Sequence, residues 1–290
     1  MNVRSWILAS RPKTYAASIA PVLVGTGLAY HISHDVPWVY AACALLGALS
    51  IQIATNFIND ALDFKKGTDT HERLGPTRVT QAGLLDADAV MTGGYIALFI
   101  AAMFGIPLII RGSWPIVAIG IGSIVAAYAY TGGPYPIAYH GLGEPFVLAF
   151  FGLIAVGGTF YVLTLQYSAE AFLCGLAMGS LAVVILAINN LRDIPGDRAN
   201  NKRTIAVRLG EAGTRVEIVL FTAIAFVAIA MVAWLQHDRW LLAPLLATPL
   251  AIALVVRVYR STGRELNRCL AMAGGLETLF SVLFLAASFV

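Results

Sequence analysis

Long apolar runs, separated by short polar stretches, fill nearly the whole chain. About 17 to 25 apolar residues in a helix suffice to cross roughly 30 Å of hydrocarbon. This pattern predicts helices at Tyr15–Ile32, Trp38–Phe57, Ala89–Ile110, Trp114–Tyr130, Pro145–Leu165, Ala169–Asn190, Val216–Leu235, Leu241–Val258 and Ala271–Phe289. The expected fold is therefore an all-α, polytopic membrane protein of about nine spans, forming one domain over residues 1–290. The fourth and fifth spans are parted by the Gly/Pro-rich stretch TGGPYPIAYHGLGEP.

The two longest polar segments, Asn59 to Asp88 and Asn190 to Arg215, follow the second and sixth predicted spans. An even number of spans separates them, so both belong at the same membrane face. Placing the N-terminus in the cytoplasm puts all but Arg111 and Arg239 of the 19 Lys and Arg on that side. Such a bias is the charge signature of a cytoplasmic face. The first twelve residues carry Arg4 and Arg11, and the apolar stretch after them continues into a full span, so a retained N-terminus in the cell (inner or cytoplasmic) membrane is expected.

Composition supports the same class. The chain of 290 residues is 59% hydrophobic and 12% charged, with a mean hydropathy of +0.78; soluble domains carry about 25% charged residues. The net charge of +3 lies in short loops rather than one stripe, which argues against a nucleic-acid partner and for membrane lipid. Cys43, Cys174 and Cys269 are odd in number and read as buried free thiols. The five histidines lack zinc-ligand spacing.

Candidate chemistry gathers in the two polar segments. The first begins NFINDALDFKKGTD, with Asn56, Asn59, Asp60, Asp63 and Asp69; Asp60 and Asp63, three apart, share a helical face. The second reads NNLRDIPGD, with Asn189, Asn190, Asp193 and Asp197; the four-residue spacings from Asn189 to Asp193 and from Asp193 to Asp197 stack these side chains until Pro195 and Gly196 break the helix. Carboxylates at a helix C-terminus face the negative end of the macrodipole and call for a cation. Oxygen-only ligands select a hard metal, and Mg²⁺ completes its shell with water and phosphate oxygens, which points to a diphosphate. Lys65, Lys66, Arg73, Arg78, Lys202 and Arg203 follow the clusters as either phosphate partners or topology charges.

These motifs resemble those of the UbiA superfamily of intramembrane prenyltransferases. Asn59, Asp60 and Asp63 fit its NDxxD pattern, and Asp193 with Asp197 fits its DxxxD pattern. The stretches RPKTYAASIAPVLVG, NDALDFKKGTDTHERLGPTRVTQAGLL, YTGGPYPIAYHGLGE and NNLRDIPGDRANNKRTIAVRLG are most like the branch that prenylates 1,4-dihydroxy-2-naphthoate in menaquinone biosynthesis. The resemblance implies a bundle with a lipid-accessible central cavity and Mg²⁺-dependent transfer from a polyprenyl diphosphate, with loss of diphosphate and CO₂. It implies metal ligation by Asp60, Asp63, Asp69, Asp193 and Asp197, and diphosphate binding by Asn59, Arg73, Arg78, Asn190 and Lys202. Asp63, Asp193 and Tyr139 would be catalytic, Tyr139 near the reacting allylic carbon.

Ionising an allylic C–O bond requires stabilised negative charge on the leaving group and exclusion of water from the cation. Tyr128, Tyr130, Tyr135 and Tyr139 are aromatic candidates for that cation, or ordinary interfacial tyrosines. Glu144 reads as an acceptor-orienting group or an interfacial loop acid. Glu277, inside the last apolar span, reads as a functional group or as a neutral or interfacial one. Rival acceptors are homogentisate, 4-hydroxybenzoate and a chlorophyll-type acid. The rival of another class is a transporter, which predicts ionisable residues at the midplane of several spans.

Overall fold

The computed structural model describes residues 3–67, 74–75 and 78–290. Among them the chain is all helical. A short helix α1 (Val3–Ser10) precedes α2 (Ala16–Ser33), α3 (Trp38–Lys65), α4 (Ala87–Ala129), α5 (Gly143–Thr164), α6 (Ala169–Ala199), α7 (Ile205–Leu235), α8 (Arg239–Arg260) and α9 (Gly263–Ala287). Helices α2 to α9 are each long and apolar enough to cross a membrane.

Eight helices nevertheless make nine crossings. The 43 residues of α4 would extend about 64 Å if straight, twice the thickness of a bilayer core. Ser113, at φ 57 and ψ −149, breaks it, and Pro115 follows. Both ends of α4 return to the same end of α3: Lys65 pairs with Asp88 at 2.6 Å, and Thr131 donates to Asn59 Oδ1 at 2.7 Å. The segments 87–112 and 114–129 are thus two antiparallel spans, as the hydropathy pattern predicts. Arg111 secures the reversal by donating to the carbonyls of Val162 and Leu163 at the far end of α5.

Contacts at the other end of the bundle follow the same alternation. His31 approaches Asp238, Gln236 donates to Glu170, and the Tyr30 ring lies 4.4 Å from that of Phe289. Residues 34–38, 113, 165–168 and 236–239 therefore share one end, and both acidic motifs share the opposite one.

Two helices run further than the hydropathy predicts. Polar residues end the apolar pattern at Phe57 and at Asn190, yet α3 continues to Lys65 and α6 to Ala199. The expected break at Pro195 and Gly196 does not occur. Asn200 closes the last turn through its backbone and side-chain N–H groups to Gly196 O, and Lys202 N bonds Asp197 O at 2.8 Å. These bonds satisfy the carbonyls of Gly196 and Asp197 that the end of the helix would otherwise leave exposed. Asp193 and Asp197 consequently stay one turn apart on one face. The second polar segment is also largely helical, α7 starting at Ile205 with a break at Gly210 (φ 70).

Packing divides the molecule in two. A large core joins α2, α5, α6, α7, α8 and α9, with α6 mostly buried at its centre. A smaller one, including Phe57, Ile58, Val79 and Val90, joins α1, α3 and the start of α4, where Trp6 meets Phe57 edge-on at 5.5 Å. Cys174 and Cys269 are buried, Cys43 is half-buried, and all three are free thiols.

In lipid, helices associate through close packing rather than hydrophobic expulsion, so small residues sit where backbones meet. Gly152, within a π-helical stretch at Leu148–Ile154, is the tightest case: a Cβ there would lie 2.3 Å from Gly175 O and 2.5 Å from Gly179 Cα. Both obstacles are backbone of α6, which cannot rotate aside. Gly152→Ala is expected to separate α5 from α6 and destabilise the protein by about 1–3 kcal/mol. A thermal melt in detergent checks this; an unchanged midpoint would contradict the packing.

Candidate active site

The C-terminal turns of α3 and α6 meet the loop 130–142 that joins α4 to α5. On the α3 side, Asn59 accepts from Thr131 Oγ1. Lys66 donates to Thr131 O and places its Nζ 5.0 Å from the centre of the Tyr139 ring. On the α6 side, Lys202 Nζ lies 6.0 Å from the same ring, and Arg203 N donates to Tyr139 O at 2.9 Å. Asn190 Nδ2 donates to Glu144 Oε1 at 2.9 Å, and Arg208 donates to His140 O at 2.6 Å. One loop is therefore bound to both motifs.

Tyr130 marks their convergence. Its buried phenol is pushed above its ordinary pKa by desolvation first, then by the carboxylates of Glu144, Asp197 and Asp63. Groups from α3, α5 and α6 thus act on one hydroxyl, which stays protonated and able to donate.

The four described aspartates differ in environment. Asp60 is 1% exposed and accepts from the backbone N–H groups of Val79 and Thr80 and from Thr80 Oγ1, with Arg11 at 3.8 Å. Its carboxylate holds the segment that returns after the first motif. Asp63 pairs with Arg78 at 2.6 Å. Asp193 is gripped by Arg192 through two bonds of 2.7 and 2.6 Å. Asp197 lies 3.3 Å from Lys202, while its buried Oδ2 has no hydrogen-bond partner.

That orphaned oxygen and the oxygen-only donor set fit a hard cation. Among the described residues no three His, Cys, Asp or Glu side chains form a closed cage.

Asn59, Asp63, Tyr139, Asn190, Asp197 and Lys202 lie together at this pole, and Arg78 joins them through Asp63. Asp193 is one helical turn from Asp197 but faces Arg192. Asp69 and Arg73 lie outside the described residues. Lys65 is drawn away to Asp88, whereas its neighbour Lys66 reaches the site.

Three participants escaped the sequence reading. Arg192, 2% exposed, bonds Asp193, Asn189 and Asn267, and Asn267 in turn donates to Leu74 O at 3.0 Å. It is a buried hub that fixes the second motif to α9. Its signal was an arginine set directly before a motif aspartate. Thr131 and Asn267 carried no signal.

A cavity of about 580 Å³ runs along the seam between the two cores. Gln52, Asn56, Asn59 and Tyr130 contribute polar groups toward the motif end, and small and apolar residues make most of the wall. Tyr130, Phe146 and Phe150 form an aromatic run along it, with centroids 5.5 and 4.5 Å apart. Ile106, Ile109 and Ile121 line the cavity and are also exposed, so it opens on the flank of the bundle. Glu277 is fully buried in α9, has neither oxygen hydrogen-bonded, and lines neither this cavity nor the polar recess beside Glu144. Both Glu277 and Glu144 are buried within the protein.

The description "UbiA prenyltransferase family" matches residues 18–286. The 1,4-dihydroxy-2-naphthoate octaprenyltransferase of Mycobacterium tuberculosis is 38% identical over 90% of this chain and 88% of its own. That of Haemophilus influenzae is 34% identical over 98% and 95%. Among solved structures, a UbiA homolog from Archaeoglobus fulgidus bound to GPP and Mg²⁺ superposes with a TM-score of 0.71 at 16% identity, covering 99% of this chain and 100% of that one. An apo UbiA homolog from Aeropyrum pernix K1 gives 0.74 at 14%, covering 95% and 98%. These structures are similar in fold.

The environment of Asp60 separates scaffold from chemistry. Asp60→Asn is expected to destabilise the protein by about 2–3 kcal/mol, because a neutral amide replaces a charged acceptor of several bonds. A lowered melting midpoint checks this, and an unchanged one would return Asp60 to the chemical group.

Proposed function

The chain belongs to the UbiA prenyltransferase family, and from that premise we propose that it transfers a polyprenyl group from its diphosphate to 1,4-dihydroxy-2-naphthoate, releasing diphosphate and CO₂. The product is the quinol form of demethylmenaquinone, in menaquinone biosynthesis. The observation that carries the reaction is the meeting of Asn59, Lys66, Asp63, Asp197 and Lys202 around Tyr130 and Tyr139 beside an apolar cavity. The identity of the acceptor rests on the naphthoate prenyltransferases that resemble this chain over most of its length.

The diphosphate binds at the pole where Lys66 and Lys202 share the Tyr139 face, with Arg78 behind Asp63 and Asn59 and Asn190 as hydrogen-bonding partners. Mg²⁺ would be held by Asp63 and Asp197 with Asp193 beside them, and would supply Lewis-acid stabilisation of the departing diphosphate. Asp69 would join from outside the described residues. The bonds of Asp60 to Val79 and Thr80 favour a supporting role for it over ligation.

The prenyl chain extends into the flank cavity, whose wall excludes water from the allylic cation. Tyr130 and Phe146 line the cavity on the motif side and offer ring faces to that cation, a contribution of about 2 kcal/mol when desolvated. Tyr139, with two ammonium groups over its ring, better suits the task of gathering positive charge for the diphosphate. The electron-rich ring attacks at its carboxylate-bearing carbon, and the pair released with CO₂ restores aromaticity, so this step needs no strong base. The charged end of the bundle faces the cytoplasm in this reading, since nearly all Lys and Arg lie there.

Purified protein in lipid, with Mg²⁺ and a polyprenyl diphosphate, is expected to release diphosphate and CO₂ with 1,4-dihydroxy-2-naphthoate and not with 4-hydroxybenzoate. Chelation of the metal stops turnover and added Mg²⁺ restores it. Asp63→Ala and Asp197→Ala each lower kcat by about 10³-fold, roughly 4 kcal/mol, in protein that still shows a cooperative melting transition. Turnover of both variants at the wild-type rate would remove the two motifs from the chemistry.

A further inference from the structure

Beside the diphosphate pole lies a second, polar recess, lined by Tyr130, Gly143, Glu144, Asn190, Lys202 and Thr204 among others. Its free space of about 10 Å³ has room for one oxygen atom and no ring. Glu144 is 3% exposed. One of its carboxylate oxygens accepts from Asn190 at 2.9 Å, and the other, Oε2, is buried with no hydrogen-bond partner. A buried acceptor left in this state is costly, so an incoming donor is strongly favoured there.

Tyr130 lines this recess and the large cavity alike. The position that a Cβ on Gly143 would take lies 3.5 Å from the Tyr130 hydroxyl, which sets that hydroxyl at the recess while the ring belongs to the wall of the large cavity. Phe146, two residues beyond Glu144, faces the large cavity next to Tyr130. An aromatic ring against Tyr130 and Phe146 thus has an oxygen-sized polar hole within reach.

Resting on the naphthoate reading above, we infer that Glu144 binds the acceptor: a ring hydroxyl enters the recess and donates to Glu144 Oε2, while the ring stays in the large cavity. The hydroxyl keeps its proton, and hydrogen bonding to a carboxylate raises electron density in the ring that attacks the allylic carbon. Asn190 has a double role, since it belongs to the second acidic motif and aims Glu144. The recess also accounts for selection. A site built to bond a hydroxyl discriminates against an analogue lacking it by far more than an apolar pocket discriminates by size, because its buried acceptor is left unpaired.

Glu144→Gln tests this with little disturbance, since the amide oxygen can still accept from Asn190 while its NH₂ takes the place of Oε2. The assay measures kcat/KM for 1,4-dihydroxy-2-naphthoate and for the two monohydroxy-2-naphthoates, each lacking one hydroxyl, alongside the affinity for the prenyl diphosphate. The wild type is expected to disfavour one monohydroxy analogue by about 10³-fold or more. In Glu144→Gln that ratio shrinks at least tenfold, diphosphate affinity staying within twofold. A variant that keeps the wild-type ratio, or loses all three acceptors in equal proportion, overturns the assignment of Glu144. Wild-type turnover of dihydroxynaphthoate upholds the broader reading whatever the variant does. If the wild type prenylates only another hydroxylated ring, the naphthoate reading falls, and the same ratio measured with that ring and its deoxy analogue decides on Glu144. No turnover of any hydroxylated ring overturns both.

Discussion

The rest of the structure depends on balancing negative charge at one end of an apolar bundle. Two helices end there with their macrodipoles pointing the same way and with Asp60, Asp63, Asp193 and Asp197 on their final turns. Carboxylates at helix C-termini repel the dipole and each other. Arg11, Arg78, Arg192 and Lys202 answer them one by one, each from a different place in the chain. The loop 130–142 then lies across the pair, tied to α3 through Thr131, to the α6–α7 link through Tyr139, to α7 through His140 and, just beyond it, to α6 through Glu144. This pairing of charges lets two acidic helix ends approach closely enough to act on the same tyrosine.

Identical residue types do different work within this frame because their surroundings differ. Asp60 is surrounded by backbone donors and fixes a chain segment. Asp197, about three helical turns beyond the buried Ala187–Ile188 pair of α6, keeps a buried oxygen without a donor. The first arrangement is complete within the protein, and the second gains from an added cation. The same reasoning distinguishes the tyrosines: Tyr139 supports two ammonium groups, while Tyr130 turns toward the cavity. Arg192 supplies the rigidity, since its bonds to Asp193, Asn189 and Asn267 hold the end of α6 against α9.

Much of this was legible in the sequence. A span across lipid requires an unbroken apolar run, so all nine crossings could be read from hydropathy, including the pair that a continuous helix assignment joins through Ser113. The two motifs were legible because carboxylates at span ends are rare without a reason. Helix continuation past Pro195 was not, since hydropathy reports where lipid ends and says nothing of where a helix ends. The choice between Lys65 and Lys66, or between Tyr130 and Tyr139, depends on helical phase and on a loop path set by tertiary bonds. Glu144 looked like a loop acid because its partner Asn190 lies 46 residues away.

The one-sidedness of the site separates an enzyme from a carrier on physical grounds. A carrier must present its substrate to both faces, which calls for polar groups near the midplane and a path past them. In this bundle the polar groups of the large cavity cluster toward the motif end, and the interior of α6 is apolar and closely packed up to Asn189. Glu277 is buried in α9 without lining that cavity. What the bundle does provide is a lateral opening, past Ile106, Ile109 and Ile121, between the flank and the charged pole. A molecule with a long apolar tail and an anionic head can occupy both at once, its tail as well solvated among the helices as in lipid. Nothing then favours passage through the bundle, and the binding energy is available to hold the head group at the carboxylates, where bond breaking is to occur.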